Sequence, residues 1–285
     1  MSKLGNRLIE EIDKNAQNPF GKGLMGKLFE KQKTMYFQKP KYPIIPVEDL
    51  AKGMVELSEE QWGIYAFHRD PIGERFSEEE KLTLIRKAME CADRYAEQCR
   101  VKDIKGYQSP VLIAKNLGAK VFYPKMPKTS GYGGNSVLFA QFISPNSIEV
   151  YTDCTDKAEE LFSKPSLKSI LGTVDIRNVL LSHELFHMFE ERDAKTIFTE
   201  TERKVLFELG PIKNKSKIIC LGEIAAMHFA KNIMQLDYSP YAFDILLSYV
   251  YDKQSACNLF AQIRKYLGVY EEPENVYKLT NKYDE

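Results

Sequence analysis

The segment "LLSHELFHMFEER", residues 180–192, constrains this chain more than any other. Apolar residues recur from Ile176 with the period of a helix, and His183 and His187 continue the same stripe. Residues four apart lie one turn apart on one helix face, so both imidazoles can reach one ion. Glu184 lies about 100° further round, where it can accept a proton rather than bind the ion. The pattern indicates either a zinc site or an amphipathic helix with two core histidines, and the spacing favours zinc.

A catalytic tetrahedral zinc site takes three protein ligands and leaves one position open. No third histidine follows His187, so the third ligand must come from elsewhere in the chain. Residues 220–234 predict a largely apolar helix with Glu223 near its start. An unpaired carboxylate in that setting is costly unless it meets a cation. We therefore predict that His183, His187 and Glu223 hold Zn²⁺ and that Glu184 is the catalytic base.

Other residues in the second half of the chain are alternatives for these roles. The rivals to Glu223 lie among other charged residues, which is typical of a solvated face: Glu200, Glu202 and Glu208. His228 is a candidate to stabilise the transition state, but it lies about 140° round the helix from Glu223, which favours a core or surface role. Four tyrosines are further candidates between which the sequence does not choose: Tyr238, Tyr241, Tyr249 and Tyr251. His68 lacks metal-ligand spacing, so we expect it to be structural.

Local patterns predict an α+β fold with a small sheet beside a mostly helical body. Ser58 with Gln61, and Ser77 with Glu80, have capping-box spacing at the start of two helices. A short helix after Ser109 should end at Gly118 and lead into a strand at 120–123. Residues 137–153 predict a β-hairpin around a Ser-Pro-Asn turn. The later helices are expected at about 155–163, 174–192, 217–235, 240–252 and 254–267.

The residue patterns divide the chain into three predicted parts. Residues 1–104 predict a helical N-terminal region of unknown role, interrupted after residue 39 by Pro40, Pro43 and Pro46. Within it, residues 1–45 hold nine Lys or Arg against four acids. That excess suits either a solvated surface, which we favour, or a basic arm that contacts a partner. Residues 105–270 form the domain that carries HELFH, and residues 271–285 form a C-terminal tail.

HELFH followed by a Glu-bearing helix resembles the thermolysin-like, or gluzincin, class of zinc peptidases. In that class an aromatic follows the third ligand by six residues, as Phe229 follows Glu223 here. The order of pieces over residues 105–270 also resembles the ImmA/IrrE family of zinc peptidases, through "VLIAKNLGAKV", HELFH and "EIAAMHFAKNIM". The resemblance implies a zincin-like metallopeptidase domain and limited cleavage of a specific protein, often a regulator. That family usually carries an acid where this chain has Ala225, which implies a rotated or shifted ligand helix.

Composition and charge bear on the binding partners and the cellular location of the protein. Forty basic residues balance forty acidic ones, so no overall field favours nucleic acid or a membrane. The N-terminus lacks the apolar stretch of a signal peptide, and five widely spaced cysteines predict free thiols, so we expect a cytoplasmic protein. The favoured function is a zinc metallopeptidase acting on a peptide or protein. The alternative is a non-catalytic zincin-like module that binds or regulates a partner.

Overall fold

The computed structural model describes residues 42–101, 106–125, 138–209 and 212–271. The predicted helical texture of residues 1–41 and the tail after residue 271 lie outside them. The helices are α1 Val47–Val55, α2 Glu59–Arg69, α3 Glu78–Gln98, α4 Pro110–Leu117, α5 Thr152–Phe162, α6 Pro165–Leu171, α7 Ile176–Arg192, α8 Phe198–Thr201, α9 Cys220–Met234, α10 Tyr241–Tyr251 and α11 Lys253–Tyr266. The strands are β1 Lys120–Phe122, β2 Ala140–Ile143, β3 Ser147–Val150, β4 Arg203–Leu209 and β5 Ile212–Lys217. The coarse prediction of an α+β fold is confirmed.

Helix starts follow the local chemistry. The Ser58 hydroxyl accepts the N–H of Gln61 at 3.2 Å, and the Gln61 side chain accepts the N–H of Ser58 at 2.9 Å. Ser77 and Glu80 repeat this reciprocal pair at the start of α3. Both predicted capping boxes are therefore confirmed, and each satisfies backbone donors that a helix leaves unpaired. At the end of α4, Gly118 takes the left-handed conformation, with φ of +73°.

A three-stranded sheet lies beside the helices, in the order β1-β3-β2. β1 runs parallel to the central strand β3, and β2 runs antiparallel to it. The hairpin predicted within 137–153 is confirmed, and its turn is residues 144–146. Ile148 and Val150 are fully buried and pair across the sheet with Phe142 and Ala140. This apolar face packs the hairpin against α7, and β2 is an outer strand of the sheet.

The core is organised around α9, which packs against α7 on one side and against α2 and α3 on another. Phe186 of α7 and Phe229 of α9 are fully buried, and their ring centroids are 5.7 Å apart. Leu138 apart, the described residues belong to one compact unit. The described helices of the N-terminal region therefore share a core with the predicted site. The domain boundary at 104/105 stays a prediction.

The sequence patterns predicted neither the β4–β5 hairpin nor the short helices α6 and α8. No strand was predicted after residue 153, but β4 and β5 form an antiparallel hairpin with a register shift between Val205 and Phe207. Its alternation is broken by that irregularity and by many lysines, which obscures the period-2 pattern of a strand. Helix α6 is only seven residues long and is held by the buried side chains of Leu167 and Leu171. Among the described residues, no helix combines the length and the apolar character needed to cross a membrane.

The close contact of α2 with α3 yields a stability prediction. A Cβ atom on Gly63 would lie 2.7 Å from Ile85, which is fully buried. Gly63→Ala should therefore lower the free energy of unfolding by about 1–3 kcal/mol through overpacking. Urea unfolding of the two proteins measures this. Without the close contact, alanine would stabilise the helix by up to ~1 kcal/mol relative to glycine. A variant more stable than the wild type would therefore contradict the close packing of α2 on α3.

Candidate metal centre

Helix α7 carries the two histidines in the expected frame. Its start is fixed by Asp175, whose carboxylate accepts the N–H of Asn178 at 3.1 Å. The side chains of His183 and His187 are 13% and 21% exposed, so both imidazoles are only partly covered. Their Nε2 atoms lie 3.1 Å apart. The two rings thus direct the same nitrogen toward one point, as a shared ion requires.

Glu223 of α9 reaches the same point from across the helix interface. One carboxylate oxygen lies 3.5 Å from Nε2 of His183, and the other lies 3.6 Å from Nε2 of His187. Zinc at about 2.0–2.1 Å from tetrahedral ligands holds those atoms roughly 3.3 Å apart. The three separations therefore fit a zinc ion. Among the described residues, this is the one group of three or more His, Cys, Asp or Glu side chains placed to hold a metal.

The Glu223 carboxylate is electrostatically suited to a cation. Its partial burial would by itself raise its pKa, but the imidazoles of His183 and His187 lower the pKa to about 2. The side chain is nevertheless 50% exposed. The cluster is thus open to solvent on the side of Glu223.

Glu190, which the sequence analysis missed, orients His187. Its Oε2 atom lies 2.7 Å from Nδ1 of His187, and its other oxygen accepts the hydroxyl of Thr199 on α8. A carboxylate on Nδ1 keeps the proton there and leaves Nε2 free for a metal. The sequence signal that could have identified Glu190 is its spacing: it follows His187 by three residues, which places both on the same face of α7. The structure adds that Glu190 is buried.

The backbone of α9 is shaped to admit Glu190. A Cβ atom on Gly222 would lie 2.8 Å from Oε1 of Glu190. A glycine directly before Glu223 therefore lets the ligand helix approach the buried carboxylate. In contrast, Nδ1 of His183 is buried with no hydrogen-bond partner among the described residues. Only one of the two imidazoles is thus oriented by a carboxylate.

Glu184 is buried, at 8% exposed. Its negative charge contributes to raising the pKa values of His183 and His187, after the contribution of Glu223. It also contributes, after burial and Glu149, to raising the pKa of Tyr151. The Tyr151 hydroxyl donates to Glu149 at 2.8 Å, and this pair connects the end of β3 to the surroundings of Glu184.

Three further residues interact electrostatically with the cluster, and of these the sequence had offered only Tyr241 as a candidate. Burial raises the pKa of Asp244 to about 6, against the positive charges of Arg69 and His183. Arg69 also lowers the pKa of Glu223. The Tyr241 hydroxyl is buried with no partner in the described part of the chain, and burial and the Glu223 charge raise its pKa. These residues sit on α2 and α10, far from HELFH in sequence.

The remaining candidates are placed away from the cluster or are otherwise engaged. The ring of His228 lies between Glu59 and Asp93, which agrees with a structural role. His68 stacks on Tyr266 at 4.0 Å between ring centroids. Tyr238 donates to the carbonyl of Leu171 and Tyr251 to Asp153, so those hydroxyls are already bonded. Of the rival acids, Glu200 pairs with Lys217 and Glu208 lies in the exposed β4–β5 hairpin.

The cysteines are compatible with this site. All five are free, as predicted, and the structure also buries all five. Burial raises the pKa of Cys220, the nearest in sequence to Glu223, well above its ordinary value. Because metals bind the thiolate rather than the thiol, this environment disfavours a cysteine ligand.

No family model, curated protein or solved structure matches this chain.

Because α7 and α9 bring Glu223 to the two histidines, we predict that zinc binding depends on the Glu223 carboxylate. Glu223→Ala should weaken zinc binding by more than about 100-fold, because outer contacts alone are worth 10–100-fold. Glu208→Ala, an exposed acid of the β4–β5 hairpin, is the matched control and should leave zinc binding unchanged. Competition with a chromogenic chelator measures both affinities. Equal zinc affinity in the two variants would exclude Glu223 as a ligand.

The histidines predict proton release on metal binding. Burial alone would lower the pKa of His187, but Glu190, Glu223 and Glu184 raise it to about 9 in the metal-free protein. Zinc must displace that proton, so its affinity should rise with pH up to about 9 and then level off. The contribution of the His187 ion pairs to the stability of the folded protein depends on pH in the opposite sense. It is complete below about pH 6.5 and is lost as the pH rises through 9.

Calorimetry at pH 7.5 in two buffers of different ionisation enthalpy gives the number of protons released. We expect between about one and two per zinc, because the pKa of His183 is raised as well. His68→Gln, which alters a histidine outside the cluster, should release the same number. Zinc binding without proton release would contradict the raised pKa of His187.

Proposed function

We propose that this protein is a zinc metallopeptidase of the gluzincin type, resembling the ImmA/IrrE family, that hydrolyses peptide bonds. One observation carries the proposal: His183, His187 and Glu223 converge on one point that is open to solvent, and the buried Glu184 follows His183 directly in α7. A structural zinc site is closed by four protein ligands, whereas a catalytic one keeps a position open. The open side of this cluster supports catalysis.

The residues divide the chemistry between them. Zinc, when bound, supplies a Lewis acid that polarises a carbonyl and lowers the pKa of a coordinated water toward about 7. Glu184 accepts the proton of the attacking water and delivers it to the leaving amine. Glu190 holds the ring of His187 through Nδ1, so that Nε2 stays directed at the ion. Partial burial keeps competing water away from Glu184.

The sheet supports a way to hold an extended substrate. Of the two hairpin strands, β3 is central and β2 is outer, so one backbone edge of β2 pairs with no other described strand. β2 packs on α7, the helix that carries both histidines. A peptide that pairs with β2 would gain backbone hydrogen bonds in an extended conformation. Specific, limited cleavage of a protein, rather than digestion, follows from the family resemblance.

The rival function is a non-catalytic module with a zincin-like fold. The orphaned Nδ1 of His183 is the observation in its favour, because catalytic zinc ligands are usually oriented by an acceptor there. Against it stands Glu184, a buried carboxylate that a purely structural site does not need. The two functions differ in whether zinc-loaded protein cleaves peptides.

The variant Glu184→Gln distinguishes the proposed role of Glu184 as general base from a role as metal ligand. Because Glu184 does not hold the metal, the variant should keep about one zinc per chain and an unchanged melting temperature. Its cleavage of a peptide library, followed by mass spectrometry, should fall by about 10²-fold or more.

Glu160→Gln, an exposed carboxylate on α5, is the matched control and should cleave at the wild-type rate. If Glu184→Gln also cleaves at that rate, the assigned base is wrong. A zinc-loaded wild-type protein that cleaves nothing in the library would instead favour the binding module.

A further inference from the structure

We propose that the N-terminal helices act on the metal centre: Asp70, Glu59 and Asp93 form a helix clamp that sets the position of α9 and hence of Glu223. These three acids are positioning residues, since they touch α9 and not the ligand cluster. The inference rests on the proposed metal site. It gives a role to the described part of a region for which the sequence offered none.

Asp70 supplies the N-terminal cap of α9 from 150 positions away in the sequence. It is 7% exposed and ends α2. One oxygen accepts the N–H of Ile72 at 3.0 Å, and the other accepts the N–H of Cys220, the first residue of α9, at 2.9 Å. Ile219, at the N-cap position of α9, provides no side-chain cap of its own. The start of the ligand helix is therefore held by a carboxylate of another element.

The second part of the clamp holds α9 beyond Glu223. The ring nitrogens of His228 lie 2.7 Å from Glu59 of α2 and 2.8 Å from Asp93 of α3. Glu59 also accepts from Lys231 at 2.6 Å, and Asp93 accepts from Asn232 at 2.8 Å. The ring of His228 is itself largely buried, at 8% exposed.

These contacts restrain both the axial position and the rotation of α9. Glu223 lies three residues, or about one turn, after Cys220, and His228 lies about 140° round the helix from Glu223. The clamp thus holds the helix on the side of α2 and α3, while Glu223 projects toward α7. Ligands must stay within about 0.5 Å and 10–20° of productive geometry. A small shift or rotation of α9 would separate Glu223 from the histidines.

Asp70→Asn tests the clamp with little change in side-chain shape. The N–H groups of Ile72 and Cys220 bind separate carboxylate oxygens, and in asparagine one of these oxygens is replaced by an NH₂ group, which would face a donor. Zinc affinity should fall by about 10–100-fold, the range for residues that orient ligands. Ser77→Ala is the control, because it removes a helix cap from the same region without touching α9. Hydrogen exchange of the first-turn amides of α9 in the metal-free protein is the second measurement, and Asp70→Asn should accelerate it selectively.

The outcomes separate this inference from the proposed function. Zinc affinity and α9 exchange that match those of Ser77→Ala would overturn the clamp, whether or not the protein is a peptidase. A wild-type protein that binds no zinc would sink the proposed function, and the exchange data would still decide the clamp. If Asp70→Asn does not fold, Asp93→Asn takes its place, since the Asp93 side chain is 57% exposed. Its zinc affinity must then fall below that of Ser77→Ala for the clamp to stand.

Discussion

The packing of α9 across α7 is the constraint on which the candidate site depends. Two imidazoles on α7 are fixed by their spacing, but they form a three-ligand cluster only where α9 brings Glu223 to within 3.6 Å. That approach needs close helix contact, which the rings of Phe186 and Phe229 and the bare backbone of Gly222 allow. Buried aromatic area stabilises the interface, and the absent Cβ leaves space for Glu190.

Buried carboxylates give this interface its precision. Glu190 contacts His187, Thr199 and the backbone at Gly222, so it joins α7, α8 and α9 at one point. Asp70 plays a comparable part at the start of α9. Such groups cost free energy to bury and are tolerated when their oxygens are hydrogen-bonded. Because these hydrogen-bonded carboxylates lie around α9, they restrict the positions that this helix can take.

The apolar pattern and the turn chemistry of the sequence predicted most of the local structure. The two capping boxes, the glycine stop at Gly118 and the hairpin at 140–150 depend on contacts between residues a few positions apart, which a sequence displays directly. The β4–β5 hairpin escaped because its irregular register and charged residues conceal its alternation. Helix α6 escaped because seven residues are too few to show a period.

The sequence by itself determined the facing pair His183 and His187, since helical spacing fixes it, and it singled out Glu223 because a lone acid on an apolar helix needs a partner. Only the tertiary structure decided that Glu223 meets both imidazoles and that Glu190 orients one of them. It alone decided that Asp70 caps a helix 150 residues away. These relations depend on the relative rotation and approach of whole helices, which long-range packing sets and no short stretch of sequence contains.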